Sequence, residues 1–398
     1  KVTANVQDLS APNTLFATVT ITGRLANQEV PSFLASIDFT LELQRAGPTV
    51  TPTVSPTGTP ALTFPTFSAQ QVTSASAPST LRSQHSMVWD SQDDLFFVFG
   101  GVDAQGNPLN DLWEFNPGTG QWTQIMNATT SGGACVGGTW PSPRMNAAMV
   151  WDSVHQQILL YGGLGANNHY LGDLWAYSPS SGAGSWTPIA CSNNGPGARA
   201  ANAAWNGSQM LLLGGIDRYG LLSDFWSYTP GAPGNSWQLV TSAAPMGPRA
   251  YQTMVWDSTD SQLFVFGGLD AGGMQRNDFY SYSPSAGWSP ISPKSTSNPL
   301  ARQQGMGTWD SKDNVLLMMG GWNDSSQNGP YWGLWAYDPK QNAWDEPTPL
   351  NSAGNAVIPG RTAAAMVWDA KEQAAYIYAG AGNAKTGSSL NDFWTLTG

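Results

Sequence analysis

Positive charge is the scarcest chemistry in this chain, whose 398 residues carry 16 Lys and Arg against 27 Asp and Glu for a formal net charge of −11. Phosphate backbones are held by clustered cations, so nucleic acid is a poor partner, and an anionic membrane surface equally so. Long apolar runs are missing as well. The longest, such as Met210–Leu213 and Leu316–Met319, stop at a Gly-Gly pair, far short of the roughly 20 residues that span a bilayer. A charged fraction of only 11% excludes a coiled coil or helical bundle, which draws heavily on Ala, Glu, Lys and Leu at helical spacing.

Cysteine and histidine are nearly absent, with two of the first and three of the second. Cys135 and Cys191 sit nine and eight residues before Arg144 and Arg199. That matched placement fits a disulfide, the alternative being two free thiols. A chain starting at Lys1 and carrying a Thr/Pro-rich stretch from Thr49 to Pro60 then reads as exported, extracellular or at a cell surface.

What the chain has in excess is 44 Gly, 28 Pro and 19 Trp, and these recur in order. Six units each open with an arginine after a Pro- or Gly-rich loop: Arg82, Arg144, Arg199, Arg249, Arg302 and Arg361. Six or seven residues on comes a Trp, usually followed by Asp, as in Trp89-Asp90, Trp151-Asp152 and Trp256-Asp257. A short β-branched or aromatic run then ends in Gly-Gly, as at Gly100-Gly101 and Gly267-Gly268, and degenerates to Tyr376–Ala381 in the sixth unit. After a loop comes an Asp-Leu/Phe-Trp/Tyr motif, as in Asp111-Leu112-Trp113 and Asp278-Phe279-Tyr280. A lone Trp follows: Trp122, Trp186, Trp237, Trp288 or Trp344. Short runs bounded by Gly, Pro and Asp are strands. Four of them per period of about 50 residues make a propeller blade. The Asp after Trp is expected to cap the turn between the first two strands.

In the Gly-Gly after the second strand, the aromatic of the third and the Trp of the fourth, the chain resembles the kelch family. The resemblance implies an all-β fold, a six-bladed kelch-type propeller over residues 62–398. It says little about function, because kelch propellers serve as enzymes, binders and scaffolds alike. The sixth unit ends just past Trp394 without a fourth strand, and the segment 62–70 is expected to supply it. Residues 1–47 read as a small module of strands at 2–9, 15–24 and 33–43, followed by a linker at 48–61. So few strands bury too little to stand alone, and the module is read as an element that joins subunits.

The loops that enter the first strand and follow the second open on one face. The candidate ligand-binding mouth is therefore Arg82, Arg144, Arg199, Arg249, Arg302 and Arg361 with Asp103, His169, Asp217, Tyr219, Asp270, Trp322 and Asp324, a mixture suited to a sugar, a carboxylate or an acidic peptide. The alternative for the arginines is that each bonds carbonyls of a neighbouring blade. No catalytic constellation, metal cluster or phosphate loop stands out, and no cofactor is expected. Kelch-like copper oxidases need a His/Tyr/Cys set that this chain does not supply. A mutarotase-like use of the mouth on a sugar is the enzymatic alternative. The expected function is a non-enzymatic binding or structural module whose partners are other protein subunits, possible copies of itself, or a glycan.

Overall fold

Trp89 and Asp90 end a strand, and the aspartate turns the chain: its carboxylate accepts the backbone N–H groups of Gln92 and Asp93 at 2.8 and 3.2 Å. The same two-bond turn recurs at Asp152, Asn206, Asp257, Asp310 and Asp369. A side chain that satisfies two amides two and three residues on fixes a tight hairpin, so each repeat starts by folding its second strand antiparallel onto its first.

The structure is a computed structural model describing residues 15–20, 38–43, 64–127, 138–179, 184–190, 195–232, 237–324, 329–350, 357–383 and 388–398. It divides into two units, 1–61 and 62–398. In the larger unit the described residues form six four-stranded antiparallel arrays. Sheet I contains Ser86–Asp90, Leu95–Asp103, Pro108–Asn116 and Gln121–Met126. Sheet II contains Ala148–Asp152, Gln157–Tyr161, Leu174–Ser178 and Ser185–Ala190. Sheet III contains Ala200–Trp205, Met210–Asp217, Gly220–Tyr228 and Trp237–Thr241, and sheet IV Thr253–Asp257, Gln262–Asp270, Gln275–Ser283 and Gly287–Pro290. Sheet V contains Gln303–Asp310, Val315–Trp322, Leu334–Asp338 and Ala343–Asp345.

Sheet VI takes Ala365–Asp369, Ala374–Asn383 and Ser388–Thr397 from the C-terminal end of the chain, and its outer strand is Ser68–Val72, paired from Ser68↔Thr397 to Val72↔Phe393. The paired residues lie toward the C-terminal end of the expected 62–70 segment and two residues past it. Phe67 precedes the strand and packs in one cluster with Leu396. An edge that would otherwise expose a row of unpaired N–H and C=O groups is covered in this way.

Consecutive sheets are joined by buried side chains. One apolar cluster sits between each neighbouring pair, from Phe97 and Phe99 of sheet I against Trp175 and Tyr177 of sheet II round to sheets V and VI. The sixth returns to the start, placing Phe96, Phe115 and Trp122 against Tyr376, Tyr378 and Phe393. The sheets therefore close a ring. The fourth-strand tryptophans Trp122, Trp186, Trp237 and Trp344 are 3–7% exposed, each burying on the order of 200 Å² between sheets.

Paired glycines let the backbones of adjacent sheets meet near the axis. Gly100 and Gly101 have φ of 62° and 95°, and a Cβ on them would lie 2.8 Å from the Arg144 carbonyl oxygen and 2.6 Å from that of Ser83. No side chain fits there. In sheet VI the first glycine is replaced by Ala379, which holds φ 53°.

The smaller unit shows one antiparallel pair, Leu15–Thr20 with Asp38–Leu43, in a register from Leu15↔Leu43 to Thr20↔Asp38. The remaining residues of the expected strands 15–24 and 33–43 lie outside the described residues. The expected strand at 2–9, the linker through residue 61, and Cys135 and Cys191 lie outside the described residues.

Candidate functional site

The six arginines do not present free guanidinium groups to a ligand, which corrects the expectation for Arg82, Arg144, Arg199, Arg249, Arg302 and Arg361. Each is at most 4% exposed. Each Nη1 donates to the carbonyl of the first residue of its own sheet's Gly-Gly or Ala-Gly pair, at 2.9–3.1 Å: Gly100, Gly162, Gly214, Gly267, Gly320 and Ala379. In five sheets the guanidinium also forks onto the aspartate of the third-strand motif. Arg82 meets Asp111 at 2.9 and 2.7 Å, and Arg144 meets Asp173 at 2.7 and 2.8 Å. Arg199 with Asp224, Arg249 with Asp278 and Arg361 with Asp392 repeat the arrangement.

Four of the five aspartates also accept from the indole N–H two residues on, at 2.6–2.7 Å from Trp113, Trp175, Trp226 and Trp394. Burial pushes the Asp173 and Asp392 carboxyls up, but the guanidinium bonds, their charge and the indole N–H outweigh it and hold both below the ordinary carboxylate range. The arginine backbone faces the other way. The carbonyls of Arg199, Arg302 and Arg361 accept from the second glycine of the preceding sheet at 2.8–2.9 Å. In the five forked sheets the arginine thus ties the second strand to the third, and at Arg199, Arg302 and Arg361 its main chain ties the sheet to its neighbour.

Sheet V departs from the pattern. Its motif has Gly333 where the others have Asp, and Arg302 lies instead over the Tyr331 ring, 4.5 Å from its centroid. Burial without a paired carboxylate lowers the Arg302 pKa to about 10, with Tyr331 and Glu346 opposing the fall.

Three of the four aspartates expected at the mouth, Asp103, Asp217 and Asp270, cap their own hairpins. The Asp103 carboxylate caps its own hairpin by accepting from the Gln105 and Asn107 amides at 2.9 and 2.8 Å. Asp217 accepts from Tyr219 and Gly220, and Asp270 from Gly272 and Met274 together with the Arg276 side chain. Burial raises the Asp103 carboxyl, but the Asn107, Gln105 and Gly106 hydrogen bonds prevail and hold it low. The Met274 amide leads in doing the same for Asp270. His169 is exposed at the end of a short 3₁₀ turn over Ala166–Asn168. Tyr219 is 80% exposed, with the Arg218 guanidinium 4.5 Å from its ring centre. Trp322 is half-buried and donates to Gln304 Oε1 at 3.2 Å. Asp324 is exposed, and its backbone N–H reaches Gln275 Oε1 at 3.4 Å.

At the axis stands a different set, which the sequence reading missed. The second residue after the arginine takes a left-handed conformation in five sheets: Gln84, Asn146, Tyr251, Gln304 and Ala363, with φ of 50–59°. Their main chains bond from sheet to sheet: Asn146 donates to Gln84 at 2.9 Å, Gln84 to Ala363 at 2.8 Å, Ala363 to Gln304 at 3.1 Å, and Gln304 to Tyr251 at 2.8 Å. They border a cavity of about 210 Å³ lined by amides, alanines, methionines and small polar groups, with buried His85 as its one ring-nitrogen base. At the opposite end of the channel a wider cavity of about 370 Å³ is bordered by the first-strand tryptophans Trp89, Trp151, Trp205, Trp256, Trp309 and Trp368.

Strand-for-strand repetition around a closed ring, braced by buried arginines and narrowed to an amide-lined neck, defines a β-propeller built from kelch-type repeats. Residues 233–397 match the family described as KLHDC2/KLHL20/DRC7 Kelch-repeats domain, 134–304 the Attractin/LZTR1 beta-propeller, and 90–129 the Kelch motif. The chain belongs to the kelch-repeat propeller family. Among its relatives are Adagio-like protein 3 of Oryza sativa subsp. japonica, 28% identical over 146 residues, and Tip elongation aberrant protein 1 of Schizosaccharomyces pombe, 28% identical over 197 residues. The matches cover 36% and 47% of this chain but only 23% and 16% of those proteins, so the chain spans less than a quarter of the length of either.

Proposed function

We propose that the protein is a non-enzymatic binding module that holds other polypeptides on its propeller, and that residues 1–47 join subunits into an assembly at a cell surface or outside the cell. The observation that carries this reading is the internal consumption of the mouth's charged groups. With the arginines clamped and Asp103, Asp217 and Asp270 spent on turns, the mouth offers shape, neutral amides and exposed rings, which suit a polypeptide surface. A sugar-converting enzyme would need a free acid and base at the same place, and of the groups expected at the mouth only His169 and Asp324 are left outside the clamps and turns. A glycan remains a partner that Tyr219 and Trp322 are chemically suited to stack on.

The joining role is supported by the antiparallel pairing of 15–20 with 38–43. A two-strand ribbon is marginal by itself, and a second copy supplies matching strands. The Thr/Pro-rich stretch and the matched positions of Cys135 and Cys191 support an oxidising, exported setting. Light scattering on the full chain and on a chain beginning at residue 62 tests the assembly. The full chain is expected above the 42.3 kDa monomer mass, and the shortened chain at its own monomer mass. Monomers in both cases would overturn the joining role.

A further inference from the structure

The main-chain ring at the neck is open at one sheet, and the sequence shows why. From the opening arginine to the first-strand Trp is seven residues in five of the repeats but six in the third, Arg199 to Trp205. The residue missing there is the one that elsewhere turns left-handed and bonds both neighbours. Sheet III runs straight through as Ala200–Trp205, its register slipping between Ala200 and Asn202. Among the described residues no bond of the ring type joins it to sheet II or sheet IV. By the ring's direction, the absent residue would have donated its N–H to the Asn146 carbonyl and accepted from the Tyr251 N–H. The step therefore lacks one amino-acid residue's worth of donor and acceptor. The flanking walls are the small side chains of Ala200, Ala201 and Ala203, and the Asn202 carboxamide is exposed in the same cavity.

We propose that this open step is the seat for one residue of a partner polypeptide, which bridges Asn146 and Tyr251 as the ring residues do elsewhere. Its N–H donates to the Asn146 carbonyl, its C=O accepts from the Tyr251 N–H, and the Asn202 carboxamide holds the adjoining peptide group. A main-chain segment is favoured over other small ligands because the four intact steps are peptide-to-peptide bonds, and backbone groups enclosed in a narrow channel require such partners. The neutral lining selects an uncharged tip. A charged side chain entering the neck would lose hydration with no counter-charge to meet it. This proposal rests on the protein-binding reading above and locates its contact.

The test selects peptides from a random displayed library on the full chain, then measures their affinity by fluorescence anisotropy. Two variants are compared with the parent: one with a single alanine inserted between Ala200 and Ala201, which restores the seven-residue spacing, and Asn202→Ala, which alters one exposed side chain. Uncharged peptides that bind the parent, weaken at least tenfold on the insertion and about tenfold on Asn202→Ala, with unchanged melting temperatures, are the expected result. Peptides that bind all three equally overturn the seat while leaving a protein-binding propeller. A library that yields no binder, or competition by methyl glycosides and by no peptide, also overturns it. The oligomeric mass of the full chain is read separately, so failure of the seat is not confused with failure of the assembly.

Discussion

Arg82 and Asp111 meet through two hydrogen bonds of 2.9 and 2.7 Å with their side chains 0% and 5% exposed. Twenty-nine residues separate them in sequence, yet the spacing returns unchanged for Arg144 and Asp173 and for Arg249 and Asp278. A buried ion pair of this kind is held by geometry. Its guanidinium also serves a strand-end carbonyl, and its carboxylate an indole N–H, so neither charge is left uncompensated.

Sheet V offers a direct test of that logic, since Arg302 has no carboxylate fork. Gly333→Asp puts an acid at the position of Asp111. A Cβ there would meet the end of the Glu346 side chain, which can swing away, and would come within 3.3 Å of the Trp335 indole nitrogen. The substitution is expected to raise the midpoint of chemical denaturation, corresponding to a gain in unfolding free energy of about 1.5–3 kcal/mol, the scale of a charged hydrogen bond gained. An unchanged or lowered midpoint would count against it.

His85 makes the closing seam acid-sensitive. It lies between sheets I and VI, edge-on to Tyr378 with ring centroids 5.2 Å apart, and both ring nitrogens lack a hydrogen-bond partner. Burial first, and then the Arg82 charge, lowers its pKa to about 3. The unfolded chain takes up a proton near pH 6.5, which the folded chain refuses until near pH 3. This group's contribution is therefore full above pH 6.5 and falls steadily as the pH drops toward 3. Asp310 and Asp369, raised by burial to about 6, act oppositely, because they favour the folded state below that value. The informative quantity is the difference between parent and His85→Phe. Denaturation midpoints from pH 4 to 7 should show a shallower loss toward acid in the variant, and parallel profiles would contradict the assignment.

The outer strand of sheet VI predicts a cost for shortening the chain from its N-terminal side. A chain beginning at residue 62 keeps Ser68–Val72 and should melt as the full chain does. One beginning at residue 74 bares the Phe393–Thr397 edge and uncovers the cluster holding Phe67 and Leu396. A loss of several kcal/mol and concentration-dependent aggregation are expected. Equal melting of the two shortened chains would contradict this closure.

The fold was legible because its signals repeat: Trp-Asp turns, Gly-Gly strand ends and spaced tryptophans each have a local physical cause that survives in one dimension. The role of the arginines was not. Asp111 and its counterparts stand in a strand motif, where an acid reads as solvent-facing, and only the folded sheet brings them against a guanidinium some 29 residues away. Two signals were available, in the 29-residue spacing that three of the five pairs share and in the loss of the aspartate at Gly333. Likewise the six-residue interval from Arg199 to Trp205 is visible in the sequence, but its meaning depends on positive φ at Gln84, Asn146, Tyr251, Gln304 and Ala363, a conformation their residue types do not announce.

The arginines' role as braces is tested most directly by a double-mutant cycle on Arg82 and Asp111, read by urea denaturation. Arg82→Met and Asp111→Asn are each expected to cost about 3–5 kcal/mol, because each strands a buried partner. The double variant should cost well under their sum, with a coupling of at least about 2 kcal/mol. Single variants that keep parental stability, or costs that simply add, would show that the guanidinium is not committed to the fold and would return it to the mouth as a ligand group.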